Sequence, residues 1–310
     1  VITGDAARLR NAGFIAAATA VAVWGSSSVL IKAVDGVSGL GISFYRLLVG
    51  ATGLTIIHLG RGGRISISFL RACFAGGIAF AIDIVLFFTA VQETTIANAT
   101  IIGALQPVLV MAIASRLFGE KPRVSDGVLS VIAIVGCVIV VSGGTGAGTG
   151  SMRGDLLAVG ALVAWTWYFV ASKRARRGLG SFEYLTGLSI VAVIVMAPVA
   201  AIAHDSLGSP TTNGWIVIAL IALINGALGH ILMNWAHAHV PLVVTSLLTL
   251  AIPVFATGAA AIFLDEPISP VQLLGMFVVI GSLSVVVLHQ ARNPTTAPEP
   301  PVGVADVPPG

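Results

Sequence analysis

Between residues 12 and 289 the chain divides into ten apolar stretches of about twenty residues each, separated by charges, glycine clusters and prolines. They fall at about 12–34, 39–60, 69–90, 95–117, 124–142, 154–173, 182–203, 214–236, 241–264 and 270–289. An α-helix rises 1.5 Å per residue, so about twenty residues cross the ~30 Å hydrocarbon core of a bilayer. Lipid offers the backbone no hydrogen bonds, and helices are the spans that satisfy their own. The expected fold is therefore an all-α polytopic membrane protein with ten transmembrane helices. With 56% hydrophobic and only 9% charged residues, against about 25% charged in a soluble domain, a water-soluble globule is excluded. The lipid bilayer is the first expected partner, and the formal net charge of +3 is no argument for nucleic acid. Arg8 and Arg10 precede the first stretch, but its length and the nine that follow make it a span, not a cleaved leader.

Cytoplasmic loops retain Lys and Arg, so alternate loops test the count of spans. With the N-terminus inside, the inner segments hold thirteen: Arg8, Arg10, Arg61, Arg64, Arg71, Arg116, Lys121, Arg123, Lys173, Arg174, Arg176, Arg177 and Arg292. The outer segments hold Lys32 and Arg153. One missing or surplus span would reverse the parity downstream and erase this bias. The expectation is a multi-pass protein of the inner, cytoplasmic membrane with both termini in the cytoplasm.

Residues 146 apart repeat: Ala90 falls on Ala236, Pro107 on Pro253, Val108 on Val254 and Glu120 on Glu266. The fourth and ninth spans are thus equivalents, each with a mid-span proline and each ending in an acidic turn, GEKP (119–122) or DEPIS (265–269). Five spans separate them, and an odd number means that the second half inserts upside down relative to the first, an inverted repeat. The expected organisation is a cytoplasmic segment 1–11, a five-helix repeat 12–142, a Gly-rich linker 143–153, a second five-helix repeat 154–289, and a Pro-rich disordered tail 290–310. Cys73 and Cys137 each lie in an apolar run, so neither a disulfide nor a metal site is expected, and no cofactor.

Trp24-Gly25-Ser26-Ser27, Tyr45-Arg46-Leu47-Leu48, the Pro107–Pro122 and Pro253–Pro267 blocks, and Ala164-Trp165 running into Lys173-Arg174-Ala175-Arg176-Arg177 carry a family likeness. Over residues 12–290 the chain resembles the drug/metabolite transporter superfamily, in its EamA-type branch of ten-helix transporters. The resemblance implies alternating-access export of small metabolites, amino acids or amphipathic compounds through a cavity between the halves.

Deep polar side chains in a span cost about 2.5–3.5 kcal/mol when charged, so each needs a partner, water or a function. Asp83 stands well inside the third span, and its counterpart 146 residues on, Gly229, adjoins His230 in the eighth. A carboxylate and an imidazole at near-equivalent depths suggest a pair able to exchange protons with substrate, hence possible proton coupling; a simple interhelical hydrogen bond is the plainer alternative. Gly226, His230, Asn234 and His237 recur at helical spacing and form one polar face, a packing seam or a cavity wall. His237 and His239, near the end of that span, are expected to be solvated.

Pro107 and Pro253 deprive the carbonyls of Gly103 and Thr249 of their usual partners, which makes both prolines candidate hinges beside a central cavity. Asn98 and Gln106 on the fourth span and Thr249 on the ninth extend the expected polar lining. Trp24 and Trp165 sit near the middle of equivalent spans instead of the headgroup belt, with Ser27 and Tyr168 within a turn of them, as aromatic walls of a substrate site or as ordinary core packing. Arg46, in the second span, can snorkel outward, while the family resemblance implies that it holds an anionic group or braces the outer gate. Glu120 and Glu266 are expected to sit structurally at helix starts. Without a GxxxxGK[ST] motif, an ion gradient or facilitated diffusion must drive transport. The rival reading is an intramembrane enzyme acting on lipid or polyprenyl substrates, with Asp83 and His230 as acid and base.

Overall fold

A computed structural model describes residues 4–34, 36–94, 96–120, 122–143, 151–265 and 267–292. Lys121, Glu266, most of the Gly-rich linker and the Pro-rich tail lie outside the described residues, as does the side chain of Asn98.

Ten helical segments are long and apolar enough to cross a membrane: Ala7–Ile31, Gly39–Gly60, Ile67–Phe87, Ala99–Phe118, Val124–Ser142, Met152–Ala175, Ser181–Ile202, Thr212–His239, Leu242–Phe263 and Pro270–Gln290. They are called here the first to tenth spans. The protein is an all-α, multi-pass membrane protein. Large apolar side chains lie bare along the spans, among them Ile15, Phe74, Val131, Ile194, Leu223 and Phe277, the last 72% exposed. In water such a surface would aggregate, whereas in a bilayer it is the solvated face.

Short polar turns start the spans. Ser38, Ser66, Ser151 and Thr211 each accept a hydrogen bond from the backbone N–H three residues on, at 3.0–3.1 Å. Asp126 accepts from Arg123 N at 2.9 Å at the head of the fifth span. These caps satisfy amide groups that a helix start leaves open, at about 1 kcal/mol each.

The loops gather into two rims. On the first, Glu120 reaches the start of the ninth span, Lys173 donates to Val240 O, and Arg61 lies over the Phe182 ring. On the second, Ser38 N donates to Leu207 O, Arg153 pairs with Glu93 at 3.2 Å, and Thr94 donates to Asp155 at 2.6 Å. Ser269 Oγ donates to Gly143 O on this second rim, at the far end of the fifth span from Glu120. Glu120 and Ser269 thus stand at opposite ends of the bundle.

Four spans depart from regular helix. The first span is broken at Ser26, between Gly4–Gly25 and Ser27–Lys32. The fourth is built from Ile96–Gly103 and Gln106–Phe118, broken just before Pro107. In the ninth, Leu242–Leu248 passes through a 3₁₀ turn, Thr249–Ala251, into Ile252–Phe263, with Pro253 in the first turn of the last piece. Both proline spans break at matching places. The eighth span winds as a π-helix over Ala222–Gly229, a widening that the polar spacing around Gly226 does not reveal.

Candidate functional site

Trp24 lies in the last turn of the helix Gly4–Gly25, where the first span bends before Ser27–Lys32. At the bend Ser26 and Ser27 return their hydroxyl hydrogens to the carbonyls of Val23 and Trp24, at 2.8 and 2.6 Å. The indole N–H donates to Asn225 O at 3.2 Å, and the Asn225 amide donates back to Val23 O, so the π-helix grips the first span at its bend. Gly229 leaves the room: a Cβ there would stand 2.6 Å from the Trp24 ring nitrogen. Trp24 meets Trp165 of the sixth span edge to face, centroids 5.5 Å apart. Trp165 stacks in turn on Tyr168 at 5.1 Å.

Trp24 and Trp165 wall a cavity of about 340 Å³ among the first to sixth, eighth and ninth spans. Two opposite charges line it, Arg46 and Asp83, and among the described residues no ion pair joins them. Arg46 Nε is buried without a hydrogen-bond partner. From mid-bundle the cavity extends past Ile31, Phe87, Thr100 and Ala158, residues near the helix ends of the second rim.

Toward the first rim the bundle is closed. Below the cavity Tyr168 Oη lies 2.9 Å from His230 Nδ1 and 3.1 Å from Asn234 Oδ1. Ser172 Oγ lies 2.6 Å from the same Asn234 oxygen and 2.8 Å from His237 Nδ1. Arg176 binds the Asn234 carbonyl at 3.1 Å and the Leu179 carbonyl. Tyr168, Ser172 and Asn234 are all fully buried. His237, expected to be solvated, is 1% exposed; the polar face of the eighth span packs on the sixth down to its end instead of opening to water.

Below this network Glu120 corrects a second expectation. Its own following helix, Val124–Ser142, is capped by Asp126, while the Glu120 carboxylate accepts from Leu242 N at 2.7 Å and Val243 N at 3.1 Å. It therefore caps the ninth span, 122 residues away, and pairs with Lys173 of the sixth at 2.8 Å. Both partners are largely buried, so this is a polar knot at the closed end and not a surface ion pair.

The other expected site residues divide by depth. Trp24, Ser27, Arg46 and Asp83 line the cavity, as do Trp165, His230, Thr249 and Pro253. Tyr168 and Asn234 lie beneath it, Gln106 lies behind Thr249, with its Oε1 3.2 Å from the Thr249 hydroxyl oxygen, and Pro107 is buried at the head of its helix piece. Phe80 and Asn225 also line the cavity without having been singled out. Asn225 carried a signal, an amide inside the apolar run ALINGALG; Phe80 carried none, since an aromatic in an apolar span looks like any lipid-facing one.

A ten-span bundle with broken, proline-bearing fourth and ninth spans around a charged, aromatic-walled central cavity has the build of a membrane carrier. The chain belongs to the EamA-like transporter family, whose pattern it matches twice, over residues 11–142 and 152–288. It is 27% identical over 270 residues to the threonine/homoserine exporter RhtA of Escherichia coli strain K12, covering 82% of this chain and 87% of that one. It is 32% identical over 140 residues to a probable terminal-alkyne amino-acid exporter of Streptantibioticus cattleyicolor, covering 44% of this chain and 46% of that protein. One crystal structure superposes with a TM-score of 0.76 at 19% identity, covering 92% of this chain and 98% of that one. That last likeness concerns the fold.

Proposed function

We propose that this protein exports small amino acids and related metabolites across the cytoplasmic membrane by alternating access. The observation that carries this reading is the pair of separated opposite charges, Arg46 and Asp83, in one aromatic-walled cavity. A zwitterion brings a carboxylate for the guanidinium and an ammonium for the carboxylate, and so offsets the burial of both charges. A cavity of about 340 Å³ is at the small-ligand end of binding sites. The amino-acid exporters among the relatives support the same substrate class.

The first rim carries Arg61, Arg64, Arg116, Arg123 and the Lys173–Arg177 cluster, so we place it in the cytoplasm, with both termini. The cavity then faces outward and the Tyr168–Glu120 region is the closed inner gate. Export requires the opposite state, reached by rocking one inverted half against the other, with Pro107 and Pro253 as bend points. Asp83 is the candidate group for proton coupling.

The test is counterflow in proteoliposomes with radiolabelled L-threonine. Saturable accumulation driven by unlabelled threonine or homoserine is expected. Solute flux that is absent while a bilayer lipid is chemically converted would replace the carrier with an intramembrane enzyme.

A further inference from the structure

The hydrogen atoms of the network beneath the cavity can be assigned. Each hydroxyl has one hydrogen to donate, and an amide oxygen has none. Tyr168 and Ser172 both lie on Asn234 Oδ1, and the 2.6 Å Ser172 contact is an O–H···O length, shorter than N–H···O bonds. Both hydroxyls therefore donate to Asn234. Each must then accept from its histidine, so His230 and His237 carry hydrogen on Nδ1. In its neutral form the His230 ring is left with a lone pair on Nε2. No protein group among the described residues bonds that nitrogen, and His230 lines the cavity.

The rest of the lining contrasts with this. The Trp24 N–H is taken by Asn225 O, and the hydroxyl hydrogens of Ser27 and Thr249 go to Trp24 O and Ser246 O. Among the described lining residues, the N–H groups left to give are those of Arg46 and the second amide hydrogen of Asn225. The acceptors left open are Asp83, His230 Nε2 and Asn225 Oδ1. Asp83 and His230 line the same cavity, and Phe80, one turn before Asp83 on the third span, stands edge-on to the His230 ring at 4.9 Å.

Resting on the amino-acid reading above, we propose that His230 is a specificity-determining residue: its Nε2, with the Asp83 carboxylate, receives two hydrogens of a primary ammonium, and Tyr168 and Asn234 are positioning residues that hold the ring in that tautomer. A substrate with a hydroxyl in place of the amine brings one hydrogen to two acceptors and leaves one of them unpaired, so the site discriminates against 2-hydroxy acids of the same shape.

The experiment measures inhibition of L-threonine counterflow by 2,3-dihydroxybutanoate, the analogue with the amine replaced by hydroxyl. Wild-type protein is expected to prefer threonine by at least about tenfold. His230→Leu should raise the threonine KM by about tenfold while leaving the analogue's inhibition constant within about twofold, so that the preference collapses. His230→Gln, which keeps an acceptor, should retain most of it. Tyr168→Phe removes the partner of Nδ1–H and should weaken the preference by about threefold, and it decides the matter if His230→Leu fails to assemble. A wild-type preference in His230→Leu, or an unchanged one in Tyr168→Phe, overturns the proposal and leaves amino-acid export standing. Absence of counterflow with any amino acid in the wild type overturns the export reading itself.

Discussion

At the scale of single residues, the cavity is governed by what each polar group lacks. Asp83 shares the cavity with Arg46 and His230, with Tyr168 beneath, and none of them is bonded to it among the described residues. Asp83→Asn keeps the shape and removes the charge. Threonine KM in counterflow is expected to rise about tenfold, the worth of one charge-assisted hydrogen bond. If the carboxylate also carries the coupling proton, uptake should lose its variation between about pH 5 and 8; a pH profile identical to wild type would remove Asp83 from coupling. Gly229 gives a second prediction. In Gly229→Ala the new methyl occupies the position 2.6 Å from the Trp24 ring nitrogen, so the indole must leave its bond to Asn225. A red shift in tryptophan emission and a several-fold loss of threonine affinity are expected, and an unshifted spectrum would show that the indole has room. Sequence reasoning reached Trp24, Asp83 and His230 because a polar or aromatic side chain deep in a span stands out against its surroundings. It missed the burial of His237 and the true target of Glu120, because both depend on partners 65 and 122 residues away that no local spacing encodes.

At the scale of elements, the spans were legible because hydrocarbon thickness fixes their length, and the ten helices fall within a few residues of the apolar stretches. Their irregularities were legible only where a residue type announces them. The breaks before Pro107 and Pro253 follow from missing amide hydrogens, while the π-helix of Ala222–Gly229, joined to Trp24 through Asn225, has no signature residue. Pro253→Ala returns an N–H able to bond Thr249 O and favours a continuous ninth span. The expected outcome is a rise of a few degrees in the thermal midpoint of the detergent-solubilised protein, with maximal counterflow reduced several-fold at unchanged KM. Unaltered turnover would mean that the break does not take part in motion. Glu120→Ala should act in the opposite sense. It opens two helix-start N–H groups and strands Lys173 in a largely buried position, a loss of about 3–5 kcal/mol on the closed end. Detergent-stability assays should show a marked drop, and a variant as stable as wild type would mean that water replaces the carboxylate at no cost.

At the scale of the molecule, two oppositely directed halves would account for one cavity with both a closed and an approachable side. If the two halves are directed oppositely, the conformation in which the first-half contacts open one end is mirrored by one in which the second-half contacts open the other. The contacts already separate the two acidic turns: Glu120 lies with Lys173 and Leu242, and Ser269 with Gly143 at the far end of the fifth span. In intact cells this places them on opposite sides of the membrane. The measurement is labelling of single cysteines introduced as Gly119→Cys and Pro267→Cys in a Cys73→Ala, Cys137→Ala background, both sites being exposed. A membrane-impermeant maleimide should label Pro267→Cys in whole cells and Gly119→Cys only after permeabilisation. Labelling of both from outside would contradict the opposed orientation of the halves, and with it the exchange of access by rocking. Labelling of Gly119→Cys alone would keep the inverted halves but reverse the bundle in the membrane, so that the cavity faces the cytoplasm and the Tyr168–Glu120 region becomes the outer gate.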